Sequence, residues 1–284
     1  MTIQRSRAKI IRKYHSKSIP HIVNNLHWSY RTKAVIVYGK VRYAIIADIH
    51  ANLAAFAAVL EDIERRGGVG EVWCLGDVVG YGPDPHECIE LLRQLNHICI
   101  PGNHDWAAIG KIDTSAFNPD AARACQWTAQ QLTARDILYL ENLPLVIERD
   151  CFTLAHGSPR EPIWEYLLST GNASESFNYF KTPFCLVGHS HVPLTFKQGE
   201  AGECTAVRLS PNVGLVLGRN RMIINPGGVG QPRDGDPRAA YAIYDDEASI
   251  LRPYRVEYDI TVTQARMMRH NLPMRLVARL SHGM

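Results

Sequence analysis

Five short apolar runs of this chain end in residues that bind cations or carry protons. YAIIA is followed by Asp48-Ile49-His50, EVWCL by Gly76-Asp77, and HICI, through Pro101 and Gly102, by Asn103-His104-Asp105. TLA is followed by His156-Gly157, and FCLV by Gly188-His189-Ser190-His191. Asn, Asp and Gly are common turn residues, so any one of these ends also reads as a plain turn. Five of the twelve histidines at such ends point further, because side chains at the carboxyl ends of strands meet on one rim of an open α/β sheet. On an extended stretch, D-x-H at 48 and 50 and H-x-H at 189 and 191 would each present both side chains on one face and grip one ion. A His, Asp and Asn set without thiolate suits Mn, Fe or Zn. Seven candidate ligands, Asp48, His50, Asp77, Asn103, His156, His189 and His191, exceed what one tetrahedral ion takes. Two divalent ions bridged by a carboxylate are therefore expected. Such a pair acidifies a water and offsets phosphoryl charge, which is the chemistry of a binuclear hydrolase.

The elements that must position these residues follow from periodicity. Strands are predicted over 43–47, 71–75 and 97–100, with helices over 53–66 and 86–95 between them. Strand-helix-strand-helix-strand with short links implies parallel strands and right-handed crossovers. Residues 119–140 are predicted helical. Strands follow over 153–155, 184–187, 193–197, 213–217, 221–225, 239–245 and 250–258, with a final helix near 261–270. No internal repeat or linker interrupts the body, so one domain of two sheets covered by helices is expected.

With 284 residues, 46% hydrophobic and 21% charged, the chain can bury a sizeable core and is not disordered as a whole. No apolar run reaches the ~18 residues of a membrane span, and no secretory h-region opens the chain, so a cytoplasmic protein without membrane contact is expected. The seven cysteines form no C-x-x-C, and several lie in apolar runs, as reduced core thiols do. Charge is uneven. Residues 1–42 hold ten Lys or Arg and no Asp or Glu, leaving 21 basic against all 28 acidic residues for the remainder. Residues 1–40 are read as a basic N-terminal extension, disordered or non-native, with 41–284 as the domain. VRYAIIADIH at 41 has the look of a natural start, Val41 then standing for a GTG codon. Nucleic-acid binding through the tail is the competing expectation, and an organellar transit peptide another.

In their order, D-x-H, G-D, G-N-H-D, H-G and G-H-x-H resemble the calcineurin-like metallophosphoesterase superfamily over about 43–258. DIHANLAAFAAVL, GDVVGYGPDPHECIELL and NPGGVGQPRDGDPRAAYAIYD are similar to its small bacterial predicted phosphodiesterases. The resemblance implies an α/β fold, a four-layer α/β/β/α sandwich of two mixed sheets flanked by helices. It implies that Asp48, His50 and His191 hold one metal, Asn103, His156 and His189 the other, and that Asp77 bridges them. It further implies a phosphodiester or small phosphate ester as substrate, a nucleotide among the options, attacked by a metal-bridging hydroxide. Manganese is the first choice of metal, with iron or zinc as alternatives. His104 is then the general acid, and Asp105 orients its ring.

Arg233, in the Gly-rich loop, is a candidate phosphate contact beside the reading of that loop as a structural turn. Tyr81 and Trp106 are read equally as base-stacking or space-filling. His86, His97, His270 and His282 fall outside the strand-end pattern and are read as surface or packing residues. Two rivals stand beside the lead. A protein Ser/Thr phosphatase of the superfamily typically shows G-D-x-V-D-R-G and an Arg before G-N-H-E, where this chain has GDVVGYG and Pro101. A non-catalytic binding scaffold, like the retromer subunit of that fold, has no need of the full ligand set and His104.

Overall fold

The computed structural model describes residues 41–284, which lie in a compact unit spanning 39–284. The reading of residues 1–40 lies outside the described residues. The first half alternates as expected: β1 (Arg42–Ile46), α1 (Leu53–Arg65), β2 (Glu71–Cys74), α2 (Pro85–Arg93) and β3 (His97–Cys99). There follow α3 (Asn103–Ala108), α4 (Pro119–Gln131), α5 (Ala134–Glu141), β4 (Ile147–Arg149), β5 (Phe152–Leu154), α6 (Thr170–Ser176) and β6 (Phe184–Leu186). The rest comprises β7 (Leu194–Gln198), β8 (Cys204–Arg208), β9 (Leu215–Val216), β10 (Met222–Asn225), β11 (Ala239–Asp245), β12 (Ile250–Val256), α7 (Ile260–Arg269) and α8 (Met274–Arg279).

Two six-stranded sheets result, ordered β3-β2-β1-β11-β12-β9 and β4-β5-β6-β10-β7-β8. β1, β2 and β3 are parallel neighbours, whereas β11 joins β1 antiparallel, so the first sheet is mixed. In the second, β5 and β10 flank β6 in parallel. The layers follow from the two-residue period of strands. Ala44 and Ile46 face the helices with Phe56, Val59 and Ile89, while Ile45 turns inward with Trp73, Phe152, Leu186 and Ile224 between the sheets. Cys185 and Ile223 face the far side and pack with Ala173 and Phe177. Both faces of the central strands are thus buried, which is why they read as unbroken apolar runs. The four-layer sandwich is as expected.

Local differences have local causes. The predicted helix over 119–140 breaks at Leu132 and Thr133, where the Thr133 hydroxyl accepts from Asp136 N and the Asp136 carboxylate accepts from Thr133 N, a capping box that starts α5. The expected strand over 213–217 shrinks to Leu215–Val216, paired only to the start of β12. α3, α6, α8, β4 and β8 carry no strong apolar period, and no element is expected there from the sequence. No helix among the described residues is long and apolar enough to cross a membrane. All seven cysteines are free thiols, five of them buried.

Candidate metal centre

The seven proposed ligands follow the carboxyl ends of β1, β2, β3, β5 and β6, and each is at most 4% exposed. The expectation of extended D-x-H and H-x-H segments is corrected. β1 ends at Ile46, and Asp48, His50, His189 and His191 have φ of 55°, 48°, 64° and 59°, with Asp77 at 53°. This left-handed backbone is sterically unfavourable for a residue with a Cβ. It is held by neighbouring strand ends: Asp48 N donates to Gly76 O (3.0 Å), His50 N to Asp77 O (2.9 Å) and His189 N to Asp48 Oδ1 (3.0 Å). A flat strand would end its side chains on a plane. The reversed turns fold them into one hollow.

Within that hollow Asp48, His50, Asp77 and His191 offer ligand atoms mutually within 4.8 Å, and so do Asp77, His156 and His189. Asp77 belongs to both groups. Its Oδ1 accepts from His104 N (2.9 Å), leaving Oδ2 3.6 Å from His50 Nε2 and 3.4 Å from His156 Nε2. Asn103 Oδ1 is 3.3 Å from His156 Nε2. A test of whether these groups suit cations comes from their protons. His50 Nδ1 faces Val79 O (3.2 Å) and His191 Nδ1 faces Gln231 O (2.5 Å). A carbonyl only accepts, so both Nδ1 atoms carry hydrogen. In the neutral rings, the two Nε2 atoms, 3.1 Å apart, then turn lone pairs toward each other. Asp48 Oδ2 and His189 Nε2 are buried without a hydrogen-bond partner. Facing lone pairs and orphaned acceptors are costly unless a cation lies between them, so the donor set fits two divalent ions.

For three of the rings electrostatics agree with that fit, while His156 has to give up a proton to ligate. Burial pushes His50 and His191 well below the ordinary imidazole range and His189 down to about 3, the neutral form that ligates. Burial opposes a charge on His156, yet the adjacent Asp77 raises it to about 9. Asp48 is pushed up to about 7 by burial, while Asp77, against burial, is held well below its usual value by His156, His104 and His50. Asp77 is therefore the anion on which the pocket is built.

Gly102 secures this arrangement by having no side chain. A Cβ there would lie 2.0 Å from Asp77 Oδ1 and 2.5 Å from Asp77 N. Gly102→Ala is expected to cost about 1 to 3 kcal/mol by overpacking and to lower metal content, measured by thermal unfolding and elemental analysis. An alanine variant as stable and as metal-rich as the parent would refute this.

His104 lies beside the ligands in α3, buried against Tyr81 (ring centroids 4.2 Å), Phe117 (4.8 Å) and His50 (4.9 Å). Asp105 does not reach its ring, which corrects the expected orienting role. Its carboxylate instead accepts from Gly102 N (2.9 Å) and Val79 N (3.0 Å), tying the β2 and β3 loops together. The side chain one residue on in a helix points about 100° away, so the neighbours in sequence diverge. The group at the ring is Cys125 of α4, whose Sγ is 3.2 Å from His104 Nδ1. Cys125 occupies an ordinary apolar position of its helix, and no local signal marks it. Arg233 is close by: Nη2 reaches Gln231 Oε1 (3.0 Å) and Tyr81 OH (3.4 Å), and buried Nε has no partner. Tyr166, also unforeseen, lays a half-exposed ring 3.9 Å from that of His189.

Residues 41–249 match the calcineurin-like phosphoesterase superfamily domain. The chain is 40% identical to an uncharacterized protein of Methanocaldococcus jannaschii over 249 residues, covering 86% of this chain and 99% of that one. It is similar to a crystal structure of a metallophosphoesterase from Sphaerobacter thermophilus, with 48% identity, a TM-score of 0.79 and coverage of 87% and 100%. A shorter likeness, 26% over 100 residues, links it to a symmetrical bis(5'-nucleosyl)-tetraphosphatase of Pseudomonas putida, spanning 30% of this chain and 35% of that enzyme. The fold, the match across most of the chain and the near full-length relatives agree that this protein belongs to the calcineurin-like phosphoesterase superfamily.

Proposed function

We propose that the protein hydrolyses a phosphodiester or small phosphate ester with two divalent transition-metal ions, manganese first, in the cytoplasm. The observation that carries this reading is the shared carboxylate, with Asp77 Oδ2 near both His50 and His156, together with the orphaned acceptors Asp48 Oδ2 and His189 Nε2. Asp48, His50 and His191 would hold one ion, Asn103, His156 and His189 the other, and Asp77 both. Two bound cations supply an acidified water and neutralise the nonbridging oxygens of a phosphoryl group. The likeness to a bis(5'-nucleosyl)-tetraphosphatase favours nucleotide esters among the substrates to be tried.

The chain's own residues complete the chemistry. Nδ1 of His104 is taken up by Cys125 and abuts Gly80, where a Cβ would lie 2.6 Å away, so Nε2 is left for substrate. Burial holds His104 down to about 4. An incoming phosphate adds negative charge beside it and favours the protonated ring, which then delivers a proton to the leaving oxygen. Arg233 brings a further positive charge to the phosphate.

Cys125 is a positioning residue in this scheme. Cys125→Ala should lower kcat about 10-fold by freeing the ring, with Cys125→Ser restoring most of it; equal rates in all three proteins would dismiss the role. The reading as a whole is tested with bis-p-nitrophenyl phosphate, p-nitrophenyl phosphate and a set of nucleotides, each with manganese, iron or zinc. Turnover that needs metal and is lost on chelation is expected, and inactivity on every ester with every metal would reject it.

A further inference from the structure

Three of the four candidate ligand histidines are oriented by a backbone carbonyl. His50 Nδ1 meets Val79 O, His191 Nδ1 meets Gln231 O, and His156 Nδ1 meets Leu75 O at 2.7 Å. Such a bond fixes the tautomer of a ligating imidazole and the direction of its other nitrogen. His189 departs from this pattern. Its backbone N–H donates to Asp48 Oδ1, but among the described residues neither ring nitrogen has a hydrogen-bond partner, and Nε2 is buried. The group against the imidazole is Tyr166, whose ring lies 3.9 Å away at an interplanar angle of 31°, with His156 farther off at 5.0 Å and 59°. Tyr166 is 45% exposed, so core packing does not account for where its ring lies. The irregular segment 157–169, between His156 and α6, is fastened on both sides of it. Before Tyr166, the Glu165 carboxylate accepts from Ser158 Oγ (2.5 Å) and from Arg160, which also pairs with Glu175 of α6. After it, Leu167 is buried and packs with Phe177 and Val187.

We propose that Tyr166 is the positioning residue for His189: its stacked ring does what a carbonyl does for the other three histidines, so the ion assigned to Asn103, His156 and His189 depends on it. The inference rests on the reading of His189 as a metal ligand for its consequence, and on the stacked pair for its location. An imidazole with no hydrogen bond is free to turn about its Cβ–Cγ bond, a torsion with broad minima. A flat ring held against its face blocks that swing. The hydroxyl of Tyr166 has no part in this, so phenylalanine can replace tyrosine, whereas leucine, which covers the same surface without a flat face, cannot. The other ion is independent of Tyr166, because His50 and His191 have carbonyls of their own.

The test is titration of the full chain, freed of metal by a chelator and dialysis, with manganese alone, the free ion being followed by electron paramagnetic resonance. The parent is expected to take up two ions. Tyr166→Ala and Tyr166→Leu should bind one of them about 10-fold more weakly, the low end of the loss for a group that orients a metal ligand, and the other within about 2-fold of the parent. Tyr166→Phe should match the parent within about 2-fold for both ions. The thermal midpoints of the four metal-free proteins should agree within about 2 °C, as for substitutions at the surface. A midpoint well below that range in Tyr166→Leu would make its loss one of folding and overturn the role, as would a loss in Tyr166→Phe equal to that in Tyr166→Ala. Two ions bound with equal affinity by all four proteins overturn the role and leave the metal reading standing. A parent that binds fewer than two ions removes the metal reading and the role with it.

Discussion

Asp77→Asn should abolish both metal sites at once and reduce phosphoesterase turnover by at least about 10³-fold, a loss at the upper end of that for one electrostatic catalytic group. The substitution keeps the shape of the side chain, and its Oδ1 can still accept from His104 N, but it removes the negative charge that both groups of ligands share. A divalent ion that binds only the folded chain stabilises it by about 2.7 kcal/mol at one hundred times its dissociation constant. For a domain of this size each kcal/mol shifts Tm by about 2 to 4 °C. Chelation removes both ions, together about 5.4 kcal/mol, and should therefore lower the Tm of the parent by roughly 11 to 22 °C and leave that of Asp77→Asn nearly unchanged. Stoichiometry sharpens the contrast. His156→Ala touches only the second group and should retain about one ion, since the first group still has Asp48, His50, His191 and Asp77. An Asp77→Asn protein that binds two ions would refute the shared-carboxylate arrangement.

His104→Ala should keep both ions and lower kcat by about 10² to 10⁴-fold on esters of poorly acidic alcohols, the usual range for a positioned acid. The metals are retained because the hydrogen bond from residue 104 to the centre is its backbone N–H to Asp77 Oδ1, which alanine preserves, and the ring only packs against His50. Substrates releasing p-nitrophenolate need little protonation and should lose far less. The measurement is the dependence of kcat on leaving-group basicity, which should steepen in the variant. A uniform loss across leaving groups would show that His104 only fills space among Tyr81, Phe117 and His50.

Much of the fold and the ligand set is legible without coordinates because both are written locally. A parallel central strand is buried on both faces and so reads as an apolar run, and the residue just past it is polar because it leaves the core. YAIIA before Asp48 and FCLV before His189 show this directly. The expected extended D-x-H was wrong for a reason that is not local: φ of 48° to 64° at Asp48, His50 and His189 is held by hydrogen bonds to other strand ends, and nothing in DIH or HSH announces it.

The sequence by itself determined the alternation of the first three strands with two helices, the class of the fold and the chemical types available for a cation pair. The tertiary structure decided which of them meet. It set β11 antiparallel beside β1, 193 residues on at Ala239 from the end of β1 at Ile46, and it turned Asp105 to the β2 loop while bringing Cys125 to His104. It also carried Arg279 from the last helix over the ring of Tyr81. Local propensity fixes where the chain turns polar and which groups stand there. Contacts between distant segments depend on how whole faces pack, and packing is chosen by the summed burial of the core and not by any one stretch of residues.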